Sequence, residues 1–214
     1  MVDNLYDSPW NLLNYLDRVE FYTKSVSLSS LTEVLRMLLQ AHSKNRIFIF
    51  GNGGSISTAA HFANDLKSVS PGFMTICLND SNTMSCIAND RGYENIFYEQ
   101  LISLASGNDI SIMISASGNS PNLLKAIEAC KYKMMLTIGL VGFDGGKLKD
   151  LVDVCVHVKS PVGHYREVED GHSILCHFIV DCLDKANNLD RKVPFSAKRP
   201  ATPFFETGDL ICNE

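Results

Sequence analysis

The stretch GNGGSISTAAHFAND, residues Gly51 to Asp65, directly follows the apolar run Ile47–Phe50. An apolar run that ends in a glycine-rich turn is typical of a buried strand leading into a helix. That helix would carry His61 and Asp65, which are four residues apart and therefore share one face. The stretch predicts a strand, a backbone turn and a helix with two potentially reactive side chains.

Short apolar runs alternate with helical patterns after Arg46. The predicted strands are Ile47–Phe50, Phe73–Leu78, Ile110–Ile114, Met135–Val141 and Val152–Val158, and the predicted helices include Thr58–Lys67, Glu94–Ala105, Pro121–Tyr132 and Glu167–Asn187. Such alternation forms right-handed βαβ units. The expected fold is therefore α/β, with a five-stranded parallel sheet flanked by helices.

Two amphipathic helices are expected before this region. The first would present Leu12, Leu16 and Val19 on one stripe, and the second Leu31, Val34, Leu35, Leu38 and Leu39. Ser30 and Glu33 have the spacing of a helix-capping box at the start of the second. Both apolar stripes could pack on the α/β region or against a second subunit.

Composition excludes several classes of protein. The 214 residues are 45% hydrophobic and 20% charged, with a formal net charge of −5. No apolar run approaches the ~20 residues of a membrane span, and no basic run suggests nucleic-acid binding. The acidic start MVDNLYDSPW is not a secretory signal. Seven cysteines without a CxxC pattern indicate reduced thiols and a cytoplasmic location.

Two glycine- and serine-rich turns are candidate phosphate sites. The first is Gly51–Ser55 and the second is Ser115–Ser120, which follows a predicted strand and precedes Pro121. Backbone N–H groups at a helix N-terminus and serine hydroxyls bind anions. The P-loop pattern is absent, and Ile56 stands where a dinucleotide fingerprint needs its third glycine. A small phosphorylated ligand remains, although strand–helix turns also need glycines and caps for structural reasons alone.

A metal site is the second candidate. Glu169 and His177 are eight residues apart, about 80° around a helix, and could converge with His61 and Asp65. Two histidines and two carboxylates suit zinc or another divalent metal. Taken singly, each residue is as consistent with a solvated helix face. The remaining histidines are expected to be structural or surface residues; they are His42, His157, His164 and His172.

These motifs resemble a known family. GNGGS and SxSGNS are signatures of the sugar isomerase (SIS) domain, a flavodoxin-like fold. HFANDL, Ile87–Tyr93, SGNSPNLLKAIEAC, GFDGGKL and the late ExxxxxxxH resemble the phosphoheptose isomerases up to about Asn187. Members convert sedoheptulose 7-phosphate to D-glycero-D-manno-heptose 7-phosphate, a precursor of surface polysaccharides.

The resemblance implies a role for each matching residue. The phosphate would be held by Ser55, Ser115, Ser117 and Ser120, and the sugar contacted by Asn52, Gly53, Asp90 and Glu169. The divalent metal, Zn²⁺, would be held by His61, Asp65, Glu169 and His177. Asp65 and His177 would also be the acid/base pair. The family further implies a homotetramer with N-terminal helices between subunits and active sites at subunit interfaces.

The same resemblance divides the chain into three parts. Residues 1–45 would be a helical oligomerisation segment, 46–188 the SIS phosphosugar-binding domain, and 189–214 an extended tail.

Departures from the family pattern leave alternatives open. The family usually has Glu at Asp65, Gln at Glu169 and often Thr at Ala116, and the segment Lys67–Pro71 is short and lacks an arginine. These changes favour an isomerase of another phosphosugar as one alternative. A second is a non-catalytic SIS tetramer that binds the bacterial replication initiator. The presence of both phosphate turns and of four ligand-type side chains favours an enzyme.

Overall fold

The computed structural model describes residues 11–41, 45–69 and 72–190, with side chains to residue 187. The five strands are β1 (Arg46–Gly51), β2 (Met74–Cys77), β3 (Ile110–Ser115), β4 (Leu136–Val141) and β5 (Val154–His157). The helices are α1 (Leu12–Thr23), α2 (Leu28–Leu39), α3 (Gly54–Val69), α4 (Ser81–Arg91), α5 (Tyr98–Leu104), α6 (Pro121–Tyr132) and α7 (Tyr165–Asp190). Two short 3₁₀ turns cover Tyr93–Asn95 and Leu148–Asp150. The predicted α/β class is confirmed.

The strand order, β2-β1-β3-β4-β5, places a ligand crevice beside β1. Neighbouring strands pair in parallel. The chain moves outward from β1 in one direction and then returns to its other side at β3. Ligands of open α/β sheets bind at such a reversal, beyond the carboxyl ends of the strands. Because Gly51 pairs with Ile114, the two glycine- and serine-rich turns leave the sheet side by side at that place.

Both faces of the sheet are buried. Alternation in β1 directs Ile47 and Ile49 to one core, which α2, α3 and α7 cover. The same alternation directs Phe48 and Phe50 to a second core, which α5 and α6 cover. The continuous apolar runs of the sequence reflect this double burial.

The two N-terminal helices differ in how they use their apolar residues. Helix α2 buries Leu31, Val34, Met37 and Leu38 in the core shared with the sheet. Helix α1 packs along α7 and buries Val19 and Tyr22, whereas its first turns leave three leucines exposed: Leu12 at 66%, Leu13 at 54% and Leu16 at 49%. The α1 stripe is thus only partly used within one subunit.

Three local features of the structure differ from the prediction. Helix α2 begins at Leu28 with Ser27 at its N-cap, so Ser30 lies inside the helix and forms no capping box. Helix α4 was not predicted, because its apolar period is confined to Met84, Ile87 and Ala88 and none of its residues is fully buried. The predicted helix Glu94–Ala105 is a 3₁₀ turn followed by the shorter α5.

Some predictions fall on residues that the structure does not describe. The N-terminal decapeptide, His42, Ser70–Pro71, Cys212 and the tail beyond residue 190 lie outside the described ranges. Within those ranges, no helix combines the length and apolar character needed to cross a membrane. The six described cysteines are free thiols.

Candidate active site

The turn after β1 and the turn after β3 form one small cavity. It has a volume of about 100 Å³, and its walls come from both turns and from α7: Asn52, Ser55, Ile114, Ser115, Ala116, Ser117, Ser120, Tyr165 and Glu169. Helix α3 begins at Gly54 and helix α6 at Pro121, so two helix N-termini border it. Unpaired N–H groups and the positive ends of two helix dipoles make the cavity suited to an anion.

The serine hydroxyls are available as donors. Ser115 Oγ accepts from the Gly118 N–H at 3.0 Å, and Ser117 Oγ accepts from the Asn119 N–H at 3.3 Å. Each bond orients a hydroxyl oxygen and leaves its proton free to donate. Ser120 is the N-cap of α6, as predicted, but its side chain makes no capping bond. The four serines predicted to bind phosphate therefore line one cavity, and their hydroxyl protons are free to donate to a ligand.

Gly53 presents open backbone to this region. Its φ is +54°, in the left-handed region, and a Cβ placed on it would meet nothing within 4 Å. Glycine adopts this conformation without strain. A ligand can therefore approach the turn closely at this residue.

Glu169 belongs to the same cavity. A Cβ built on Gly54 would lie 2.5 Å from both carboxylate oxygens of Glu169, so this carboxylate lies against the first residue of α3. Burial raises the pKa of Glu169 above its ordinary value, and the charge of Asp170 raises it further. A carboxylate therefore occupies a place that also attracts phosphate.

Three of the four predicted metal ligands, His61, Asp65 and His177, form a trio on the neighbouring surface of α3 and α7. Asp65 Oδ2 lies 3.2 Å from His61 Nε2 and 3.9 Å from His177 Nε2, and the potential ligand atoms all lie within 4.8 Å of one another. The two imidazole rings meet edge to face with centroids 5.1 Å apart. Two histidine nitrogens and one carboxylate oxygen at this spacing match the donor set of a catalytic zinc site.

Glu169 is not part of this trio. Two helical turns separate it from His177, a rise of about 12 Å along α7. Angular position alone suggested convergence, but the rise places Glu169 beside Gly54 and His177 beside Asp65. Thr58 and Ser173 lie between the two places, with hydroxyl oxygens 3.4 Å apart. The role of Glu169 as a metal ligand remains a prediction.

The other predicted residues are dispersed. Asp90 is exposed on α4, accepts from Asn89 Nδ2 at 2.8 Å and lines neither place. His172 is fully buried, which lowers its pKa to about 4, as expected of a structural residue. His157 Nε2 bonds the Phe143 carbonyl, and burial lowers its pKa. His164 Nδ1 bonds the Tyr22 hydroxyl.

Three residues at or beside the cavity were not among the predicted site residues. Asn122 and Tyr93 hydrogen-bond the side chain of Asn52, and Tyr165 contributes to the cavity wall. Asn122 lies two residues after Ser120 in the second turn motif, so its proximity to the site was a usable signal. Tyr93 ends the Ile87–Tyr93 stretch that resembles the family, but nothing in the sequence indicated its bond to Asn52, and Tyr165 belongs to none of the motifs.

Comparison with known proteins agrees with this geometry. The sequence model of the SIS domain matches residues 14–142. A phosphoheptose isomerase of Helicobacter pylori strain 26695 is 37% identical over 193 residues, covering 86% of this chain and 97% of its own length. The chain belongs to the phosphoheptose isomerase family.

Further relatives support the assignment. A phosphoheptose isomerase of Vibrio vulnificus is 33% identical over 171 residues, covering 78% of this chain and 89% of its own. The structure of phosphoheptose isomerase GmhA from Neisseria gonorrhoeae superposes with a TM-score of 0.74 at 28% identity, covering 81% and 94% of the two chains. The predicted family and fold are confirmed, as is the prediction that the protein is a phosphosugar isomerase.

Proposed function

We propose that this protein converts D-sedoheptulose 7-phosphate to D-glycero-D-manno-heptose 7-phosphate, as a cytoplasmic homotetramer that supplies heptose precursors. The observation that carries the proposal is the pairing of two places on α3 and α7. One is a donor-rich anion cavity and the other is a His–Asp–His trio. His61 lies seven residues after Gly54, a rise of about 10 Å along α3. A phosphorylated sugar chain can bridge such a spacing.

The phosphate end is held by the two turns. Ser55, Ser115, Ser117 and Ser120 would donate to phosphate oxygens, together with the N-termini of α3 and α6. Anchoring one end of the sugar restricts its motion and brings the opposite end towards the trio. Substrate position is thus the first contribution of these residues.

The His61–Asp65–His177 trio would carry out the proton transfers of the isomerisation. A base removes a proton from C1 of the ketose, and the electron pair forms the C1–C2 double bond of an enediol. A proton is returned to C2, while the hydroxyl proton of O1 is lost and O2 gains one, so the atoms balance. We assign these transfers to Asp65 and His177 together. Positioned acids and bases contribute ~10²–10⁴-fold each.

The trio also fits a divalent metal. His61, Asp65 and His177 would hold it, with Glu169 as the further predicted ligand. When bound, Zn²⁺ would act as a Lewis acid that favours the enediolate. Asp65 has a side-chain exposure of 24%, compared with 61% for His61 and 59% for His177, so the carboxylate is the least exposed of the three.

A direct assay tests the proposal. Metal-stripped protein is assayed on sedoheptulose 7-phosphate with and without Zn²⁺, and aldose formation is followed. We expect zinc-dependent turnover that His61→Ala lowers at least ~10²-fold. Turnover without metal dependence would contradict the metal role. Absence of turnover in folded tetramer would reject this sugar, and a phosphosugar panel would then distinguish another isomerase from a binding protein.

Another phosphosugar is the second candidate. Two residues of the anion cavity differ from the family pattern, Ala116 and Glu169, and both line its wall. Ala116 offers no hydroxyl, and Glu169 adds a negative charge. Both changes act on recognition of the substrate rather than on the trio.

A further inference from the structure

The side chain of Asn52 is held by two residues with no assigned role. Asn52 Nδ2 donates to Asn122 Oδ1 at 2.9 Å, and Asn122 Nδ2 donates to Asn52 Oδ1 at 2.9 Å. The Tyr93 hydroxyl donates to the same Asn52 Oδ1 at 3.2 Å. Asn122 is only 1% exposed, whereas Tyr93 is 57% exposed. Three separate segments of the chain therefore meet at one amide.

This arrangement determines what Asn52 can offer to a ligand. A side-chain amide has two acceptor positions on oxygen and two N–H donors on nitrogen. In the described part of the chain, both acceptor positions of Asn52 are used and one N–H is used. One N–H remains, and Asn52 lines the anion cavity. The Tyr93 hydroxyl donates to Asn52 Oδ1 and so takes the second acceptor position of that oxygen.

We propose that Asn122 and Tyr93 are positioning residues that lock the Asn52 amide, so that Asn52 recognises the phosphosugar solely as a hydrogen-bond donor. Asn52 then selects a ligand oxygen that accepts, such as a hydroxyl or carbonyl oxygen near the phosphate. A locked amide also loses less conformational entropy on binding than a free one. The inference rests on the proposed function for the identity of the sugar.

A double-mutant cycle tests this dependence. Affinities of sedoheptulose 7-phosphate and inorganic phosphate are measured by calorimetry for wild type, Asn52→Ala, Asn122→Ala and the double variant. Each single substitution should weaken sugar phosphate about tenfold, the loss of one oriented hydrogen bond. The double variant should be no weaker than Asn52→Ala, because Asn122 acts through Asn52. Inorganic phosphate, which lacks the sugar oxygens and relies mainly on the serine turns, should lose less affinity than the sugar phosphate in every variant.

Tyr93 provides a variant with little risk to folding, because its ring is largely exposed. Tyr93→Phe should weaken sugar phosphate about threefold in the wild-type background. It should have no effect in the Asn52→Ala background. Tyr132→Phe is the control: it removes a hydroxyl from a residue that is 76% exposed on α6, and it should change the affinity for neither sugar phosphate nor inorganic phosphate.

The outcomes separate the inference from the proposed function. Additive losses, or an equal loss of inorganic phosphate affinity, would overturn the positioning role even in an active isomerase. Coupled losses without turnover would support the positioning role and reject the proposed reaction. Wild-type protein that binds inorganic phosphate but gains nothing from the sugar would overturn both.

Discussion

The carboxylate of Glu169 lies at the N-terminus of α3, where it would affect the binding of phosphate in the anion cavity. Its carboxylate lies against Gly54, at the positive end of the α3 dipole. A phosphate in the adjacent cavity would be attracted to the same end. The two negative groups therefore compete for one favourable region, and the raised pKa of Glu169 reflects its burial there.

Glu169→Gln should increase the affinity for inorganic phosphate. The substitution keeps the size of the side chain and removes its negative charge, so repulsion decreases. For a partly exposed pair of like charges we expect phosphate to bind about two- to tenfold tighter. Isothermal titration calorimetry at fixed pH measures the change.

A matched substitution controls for the loss of charge itself. Glu128→Gln removes an exposed carboxylate that pairs with Lys125 on α6, outside the cavity, and should leave phosphate binding unchanged. Weaker phosphate binding by Glu169→Gln would show that the carboxylate supports the anion site, for example by fixing the start of α3.

Helices α1 and α7 are the elements that connect the amino-terminal segment to the site. The Tyr15 hydroxyl donates to Asp170 Oδ2 at 2.5 Å, and Arg18 Nε donates to Glu167 Oε1 at 3.0 Å. Asp170 and Glu167 flank the turn of α7 that bears Glu169. Burial and the bond to Asp170 raise the pKa of Tyr15, so its hydroxyl stays protonated. Helix α1 thus anchors the part of α7 that borders the anion cavity.

Removing both contacts should lower thermal stability. Tyr15→Phe combined with Arg18→Ala deletes one phenolic hydrogen bond and one partly exposed ion pair. Together they should cost about 1–2 kcal/mol, or a fall in Tm of roughly 2–8 °C for a chain of this size. Differential scanning calorimetry measures the change in Tm. Lys24→Ala breaks an exposed pair within α1 and should leave Tm unchanged; an equal fall there would refute the anchoring role.

The sequence predicted elements best where burial gives a clear apolar pattern and local signals mark the ends. The boundaries of α6 agree with the prediction at both ends, Pro121 and Tyr132, because Ser120 and Pro121 mark its start. Strand β1 extends the predicted run by one residue at each end. Helix α4 was missed because its apolar face is short and only partly buried: Met84, Ile87 and Ala88 pack against the second core.

Site residues were predictable where they belong to contiguous motifs. The serines follow β1 and β3 directly, so the parallel sheet alone brings them together. Glu169 and His177 were predicted to converge over two helical turns, whereas the structure places Glu169 beside Gly54 and His177 beside Asp65. Tyr93 reaches Asn52 through a loop whose path no local pattern indicates.

At the scale of the whole molecule, the described residues include several large apolar side chains that are exposed to solvent. Exposed side chains of α1 include three leucines and Phe21, the last at 73%, and α7 adds Ile174 at 48% and Phe178 at 44%. These side chains belong to the two helices that carry or border the site. Large exposed apolar patches are typical of protein interfaces. The proposed homotetramer would bury it and couple assembly to the active site.

Charges placed on the α1 stripe should therefore dissociate the protein. Leu12→Glu with Leu16→Glu introduces two carboxylates where the proposed assembly buries leucines, and burying unpaired charges costs several kcal/mol. Light scattering after size exclusion should show a tetramer for wild type and smaller species for the variant. Tyr132→Glu, at a side chain 76% exposed on α6, should stay tetrameric. A tetrameric double variant would exclude α1 from the interface. Dissociation with full isomerase activity would instead show that each subunit carries a complete site.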